Sequence, residues 1–260
     1  MEYLPEYAIV FIYALVAVFG LCVGSFINVV ISRLPIKGAF LSSNRSQCPG
    51  CGETLSPIEL VPVLSWIMLL GRCKHCKRRI SPRYPIVELL GALFATTCLW
   101  FFEISHLTPV IYVTLMILLA ITIIDFNTSE IPDSLIIALI FPTAAAFFLF
   151  TDVTPLSHVI GLFAIALPML LLTLLIPGAF GGGDIKLIAV CGLMLGWQLI
   201  LTAFFIAIVF AGSIAIYLMI SGRKKRGQHM VFGPALCAGV AISIFYGHQL
   251  IDWYLSLFFY

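Results

Sequence analysis

The 260-residue chain is 62% hydrophobic and only 10% charged, whereas soluble globular proteins carry about 25% charged residues. That balance excludes an ordinary water-soluble globule. Its apolar runs are continuous rather than alternating, which argues against a membrane β-barrel and for helices that cross lipid. The net charge of +2 hides an asymmetry: of 14 Lys and Arg, nine lie between Arg33 and Arg83, four are Arg223, Lys224, Lys225 and Arg226, and Lys186 stands alone. In a membrane chain such clustering reads as loops facing the cytoplasm rather than as a nucleic-acid surface, and no nucleic-acid partner is expected.

The residues predict an all-α polytopic membrane protein of about eight transmembrane helices, at 8–31, 86–104, 108–125, 134–151, 156–176, 185–197, 198–220 and 232–258. Met1–Glu6 holds no Lys or Arg, so the first apolar run is expected to be a membrane helix and not a cleaved signal peptide. The run 185–197 is too short to cross about 30 Å of hydrocarbon at 1.5 Å per residue. It is expected to be re-entrant or to share residues with the next helix around Gly196. Six spans separate the two basic loops, an even number, as two loops on one side of a bilayer require.

Between the first two spans lies a polar insertion with Cys48-Pro-Gly-Cys51 and Cys73-Lys-His-Cys76, a C-x2-C-x21-C-x2-C pattern. Four thiolates at zinc-ribbon spacing suit tetrahedral Zn2+ in the reducing cytoplasm, with a redox pair as the competing reading. The metal would replace a core that so short a segment cannot build. The basic surplus is suited to anionic lipid headgroups. Cys22, Cys98, Cys191 and Cys237 are dispersed in apolar runs and read as small buried residues.

Threading the chain through the bilayer brings Asp125 and the loop before Asp184 to the same inner face. An ionisable residue at the end of an apolar span is a functional candidate. Two neighbouring carboxylates share a proton, so one can activate water while the other polarises a carbonyl. Asp125 ends an apolar run and Asp184 begins one, so the helix dipole favours Asp184 as base and Asp125 as acid. Gly181, Gly182 and Gly183 suggest a loop that admits positive φ and the close approach of an extended peptide. Asp133, after Ile131-Pro132, reads as a helix N-cap.

Other membrane proteases fit poorly. There is no His-Glu-x-x-His and no rhomboid-like Gly-x-Ser-Gly, and His75, His106, His158, His229 and His248 are scattered and expected at interfaces. A proton- or metal-coupled transporter is the alternative from a different class. Transporter sites lie near the bilayer midplane, however, and these acids lie at one edge.

Taken together the motifs resemble the bacterial type IV prepilin peptidases, GxGD-type aspartic proteases. They are Gly24-Ser25-Phe26-Ile27-Asn28-Val29-Val30 continuing to Arg33-Leu34-Pro35, the four-cysteine box, Arg83-Tyr84-Pro85-Ile86-Val87-Glu88-Leu89-Leu90, Asp125 with Ile131-Pro132-Asp133, Phe180-Gly181-Gly182-Gly183-Asp184-Ile185-Lys186-Leu187, and Phe232-Gly233-Pro234. The resemblance implies cleavage of type IV prepilins and pseudopilins after a Gly that ends a short basic leader, at the cytoplasmic side of the bacterial cytoplasmic membrane. It also implies N-methylation of the new first residue, usually Phe, from S-adenosylmethionine. It carries over Asp125 and Asp184 as catalytic and the four cysteines as metal ligands. The implied division is a first helix at 1–31, a four-cysteine methyltransferase part at 32–84 and a protease domain at 85–260. No GxGxxG dinucleotide fold is present. Glu88 is a candidate for holding or deprotonating the substrate amine, and an interfacial helix-start residue otherwise.

Overall fold

The computed structural model describes residues 5–36, 46–150, 153–221 and 231–259. The basic run Arg223–Arg226 and His229 lie outside the described residues, as do Lys37, Arg45 and Met1–Leu4. The described chain is helical: α1 Glu6–Arg33, α2 Leu64–Met68, α3 Arg83–Phe102, α4 Leu107–Thr128, α5 Asp133–Leu149, α6 Pro155–Ala164, α7 Ala166–Leu175, α8 Gly182–Leu195, α9 Trp197–Ile220 and α10 Gly233–Phe259. Among the described residues six segments are long and apolar enough to cross a membrane: α1, α3, α4, α6 with α7, α9 and α10. α5 and α8 are shorter apolar helices of 17 and 14 residues. Each predicted span is thus helical, 156–176 as the two helices α6 and α7, and the protein is an all-α, multi-pass membrane protein with a small four-cysteine insertion.

The chain divides into two compact units, Met1–Tyr112 and Val113–Tyr260. In the first, α1 and α3 pack backbone to backbone. A Cβ on Gly20 would stand 2.6 Å from the Gly91 carbonyl, and one on Gly24 would stand 2.7 Å from Glu88 Cα. Small residues at such a seam let membrane helices gain van der Waals contact where lipid supplies no hydrophobic drive. Near the end of α1 the Asn28 amide donates to the Tyr84 carbonyl at 3.0 Å, tying it to the start of α3.

The insertion between them carries two matching knuckles. Cys48 N–H donates to Glu53 O and Gly52 N–H to Cys48 O; likewise Cys73 N–H donates to Arg78 O and Lys77 N–H to Cys73 O. Each knuckle closes on an antiparallel bridge, Gln47 with Thr54 and Arg72 with Arg79. The turn residue after each second cysteine has positive φ, Gly52 at 74° and Lys77 at 59°.

In the second unit Gly161 of α6 and Gly192 of α8 meet backbone to backbone. His158, expected at an interface, is buried instead and shares a 2.8 Å hydrogen bond with the Leu193 carbonyl. That carbonyl belongs to the last turn of α8, where helix carbonyls lack intrahelical partners. The predicted span 156–176 breaks at Ile165, because Pro168 has no N–H for the Ala164 carbonyl. α8 ends at Gly196, whose φ of 80° turns the chain into α9. A Cβ on Gly196 would meet Ser157 and Val153, so α8, for all its shortness, reaches the α5–α6 turn.

Candidate active site

Asp125 sits one turn before the end of α4 and is 5% exposed. Its backbone carbonyl accepts the Ser129 N–H at 2.7 Å, which closes the helix. Asp184 is half-buried in the first turn of α8, and the Gly181 N–H at the N-cap reaches back to its carboxylate. Asp184 therefore caps its own helix from inside the first turn, in the manner of the acid of a capping box. The two carboxylates lie within electrostatic reach of each other. Asp125 also receives the backbone N–H of Gly233, the first residue of α10. Asp125 thus lies in the last turn of α4 and Asp184 in the first turn of α8, as expected, while the α10 N-terminus offsets part of the dipole that disfavours charge on Asp125.

The surrounding loops explain how sequence-distant acids come together. A Cβ on Gly183 would stand 2.8 Å from the Ile131 side chain, and one on Gly233 would stand 3.2 Å from the same residue. Ile131 is therefore a wedge between the loop before Asp184 and the start of α10, whose Gly233 meets Asp125. Phe180 and Phe232, each just ahead of those glycines, meet at a tilt of 49° with ring centroids 5.8 Å apart. Cys237, one turn into α10, is buried within electrostatic reach of both carboxylates. Asp133 is the first residue of α5 rather than its N-cap, which is Pro132; its carboxylate pairs with Lys186 at 2.7 Å and ties α5 to α8. Lys186, the solitary cation of the sequence, thereby acquires a partner.

The glycine motif works differently from its sequence rationale. None of Gly181–Gly183 has positive φ; Gly178 does. Gly181 leaves room for the Asp184 carboxylate, and Gly183 leaves room for Ile131. Gly182 alone has open space where a Cβ would be.

In the insertion the Sγ atoms of Cys48, Cys51, Cys73 and Cys76 lie within 4.8 Å of one another, with Cys48 and Cys76 at 3.8 Å. Zn–S bonds of about 2.3 Å in a tetrahedron require S–S edges of about 3.8 Å. All eight cysteines are free, so no disulfide competes. The Gly50 N–H donates to Cys48 Sγ at 3.4 Å and draws that thiol down to about 6. The Glu53 N–H acts to lower Cys51 too, but desolvation and the adjoining thiols of Cys48 and Cys76 prevail and push it up to about 11. Four such thiols cannot all ionise side by side without a cation, and the donor set fits zinc.

Glu88 lies near the start of α3 but is turned inward. It is 8% exposed, in the second turn of α3, and its carboxylate accepts the Val63 N–H at 2.8 Å. Val63 lies at φ 60°, ψ −49°, in a γ-turn closed by Leu64 N–H to Pro62 O. A β-branched residue there is strained, and Glu88 is the partner that holds it.

The family described as "Bacterial Peptidase A24 N-terminal domain" matches residues 18–102, and "Type IV leader peptidase family" matches residues 112–216. A protein of Bacillus subtilis (strain 168) named "Prepilin leader peptidase/N-methyltransferase" is 36% identical over 246 residues, covering 92% of this chain and 96% of its own. Proteins of the same name from Burkholderia pseudomallei (strain K96243) and Aeromonas salmonicida (strain A449) are 36% and 32% identical. They cover 90% and 94% of this chain, and 85% and 94% of their own. The chain belongs to the type IV leader peptidase family. No solved structure matches it.

Membership in the leader peptidase family sets aside the transporter alternative. A Cβ at Gly233 would run into Asp125 Oδ2, so a glycine there is what lets the N-terminus of α10 reach that carboxylate. Replacing Gly233 by Ala is expected to shift the carboxylate and lower peptide hydrolysis by about 10²-fold, the scale of an ångström-sized misplacement. The melting temperature in detergent should move little, because the atom that must give way is the end of a side chain and not backbone. Unchanged turnover in that variant would mean the Gly233 contact does not position Asp125.

Proposed function

We propose that this chain removes the basic leader from type IV prepilins or pseudopilins after Gly, at the cytoplasmic face of the bacterial cytoplasmic membrane, and methylates the amine so exposed. The observation that carries the reading is the pair Asp125 and Asp184, brought within electrostatic reach at one end of a helical unit and each held by a glycine N–H. In the Asp125–Asp184 pair one proton is shared. The ionised carboxylate takes a proton from water as the oxygen attacks the scissile carbonyl. The other carboxyl donates its hydrogen bond to that carbonyl oxygen and then passes its proton to the leaving amine. Water is consumed, the peptide C–N bond breaks, and the dyad returns to one proton. Gly182, with open space at its α-carbon, is the point where an extended substrate backbone can approach closest; Gly181 and Gly183 keep that strip narrow.

Methylation needs a neutral amine. The ammonium would give up a proton so that its nitrogen lone pair is free to take a methyl group. S-adenosylmethionine, when bound, would supply that methyl as an electrophile and retain the leaving electron pair. Glu88, carboxylate and buried, is the proposed residue to hold the amine or accept its proton. Cys48, Cys51, Cys73 and Cys76 hold Zn2+, which fixes the insertion.

The test is direct. Purified protein in lipid is given a synthetic peptide with a basic leader, a Gly-Phe junction and an apolar tail. Mass spectrometry should find one cut after Gly and, with S-adenosylmethionine added, one methyl group on the new amine. A peptide left whole, or cut elsewhere, would sink the proposal.

A further inference from the structure

The first unit contains a cavity of about 620 Å3 at the junction of α1, the four-cysteine insertion and α3. Its size falls within the roughly 300–1,000 Å3 of small-molecule sites. The peptide dyad plays no part in it. Its lining mixes both signs, Glu59 and Glu88 against Arg33, Lys74, Arg78, Arg79 and Arg83. From α1 and α3 come Asn28 and Glu88, 3% and 8% exposed, both hydrogen-bond acceptors toward a ligand. The insertion and the start of α3 bring Arg78, Arg79 and Arg83. Trp66 of α2 also faces it, with its indole N–H fixed on the Ile80 carbonyl at 3.3 Å.

Two of these groups are left incomplete. Asn28 spends its amide on the Tyr84 carbonyl, and among the described residues its Oδ1 has no hydrogen-bond partner although it is buried. Buried Arg83 Nε has none among them either. A buried polar atom without a partner costs about 1–3 kcal/mol, and native proteins rarely leave several around one cavity. An orphaned acceptor near a carboxylate calls for a cationic or N–H-bearing group, and an orphaned guanidinium N–H calls for an anion. The ligand must therefore carry both signs. A basic leader would be repelled by the arginines, and an anionic lipid headgroup would leave Asn28 and Glu88 unanswered. A zwitterionic amino acid joined to a cation and an aromatic base answers all of them.

We infer that this cavity, with Asn28, Glu88 and Arg83 as its polar contacts and Trp66 as an aromatic wall, is the S-adenosylmethionine site. The inference rests on the methyltransferase reading above and adds the place and the residues. It also gives Glu88 a second duty. By accepting the Val63 N–H, Glu88 holds the strained turn that starts α2, and α2 carries Trp66 to the cavity. Zinc, with Cys48 and Cys73 at the cavity edge, secures the other side of the same wall.

The test measures binding, not turnover. Full-length protein in detergent is equilibrated with labelled S-adenosylmethionine, and S-adenosylhomocysteine serves as competitor. Wild type is expected to bind one equivalent. Asn28→Leu and Arg83→Met should each weaken binding at least about tenfold, the worth of a hydrogen bond to a charged partner, with zinc content and melting temperature as folding controls. Photolabelling with an azido-adenine analogue gives a readout that needs no variant. Labelled peptides should fall in residues 25–33 or 46–88. Wild-type affinity in both folded variants, or labelling confined to other helices, overturns the cavity assignment while leaving the methyltransferase reading standing. No binding to wild type overturns that reading itself. Label displaced by phosphatidylglycerol micelles but not by S-adenosylhomocysteine assigns the cavity to lipid and also overturns the inference.

Discussion

Asp125→Asn and Asp184→Asn should each lower prepilin-peptide hydrolysis by about 10²–10⁴-fold, the span of a positioned acid or base. Asn is nearly isosteric with Asp, so each substitution removes the exchangeable proton while keeping the shape. Asp125 is 5% exposed beside a second acid, and an amide there relieves charge repulsion. The melting temperature is therefore expected to hold or rise, as when a strained functional site is relaxed. The double variant should be hardly worse than either single one, because groups that act as a unit lose most of their effect with the first removal. Additive losses would mean the two acids work separately. Full activity in either single variant would remove the dyad from the mechanism. Binding of labelled S-adenosylmethionine should be unaffected in all three, since neither acid lines the cavity proposed for it.

Removing zinc should have the second large effect. Among the described residues 46–82 only Cys48, Gly71 and Cys73 are buried, so the insertion has no apolar core to fall back on. Ile58, Met68 and Leu70 are 74%, 75% and 82% exposed. Structural zinc contributes about 10–16 kcal/mol of apparent binding energy in small zinc domains, far more than the marginal stability of a short segment. Purified protein is expected to carry one zinc per chain. Stripping it with a chelator, or replacing Cys48 or Cys73 with Ser, should open the Arg72–Arg79 stretch to trypsin and speed its cleavage by at least about 10²-fold. Restoring zinc should reverse the first treatment but not the second. Protein that arrives without metal and resists trypsin would instead make the four thiols a redox device.

Much of this was readable from residue order. Apolar run length located every long helix, because in lipid a helix is the solution for a single segment. Charge clustering placed Asp125 and Asp184 at a common level before any geometry was known, and C-x2-C spacing placed four thiols together. What escaped was set by contacts between distant segments. Ile131 reads as one more apolar residue, and only the fold makes it the wedge beside Gly183 and Gly233. Asn28 lies inside an apolar helix and gave a signal that went unused: a lone amide in a membrane span is costly and seeks a partner. Gly20, Gly24 and Gly91 also carried a legible hint in the four-residue spacing of the first two. The break at Ile165 could have been read from Pro168. The partner of Asp133 could not, since nothing local links it to Lys186.

The shortness of α5 and α8 reaches beyond the protein. At 1.5 Å per residue their 17 and 14 residues measure about 26 and 21 Å, against a hydrocarbon layer of about 30 Å. Past Lys186 no residue of α8 is exposed, so the mismatch is felt beside α5, where lipids must compress their acyl chains at a cost of fractions of a kcal/mol per ångström. Thinning on the side where Asp133 of α5 pairs with Lys186 would draw headgroups and water toward the proposed dyad, and would let a peptide bond just outside a substrate's apolar helix reach the acids while that helix stays in the membrane. Hydrolysis is then expected to depend on the thickness of the surrounding bilayer as well as on the residues proposed to perform it.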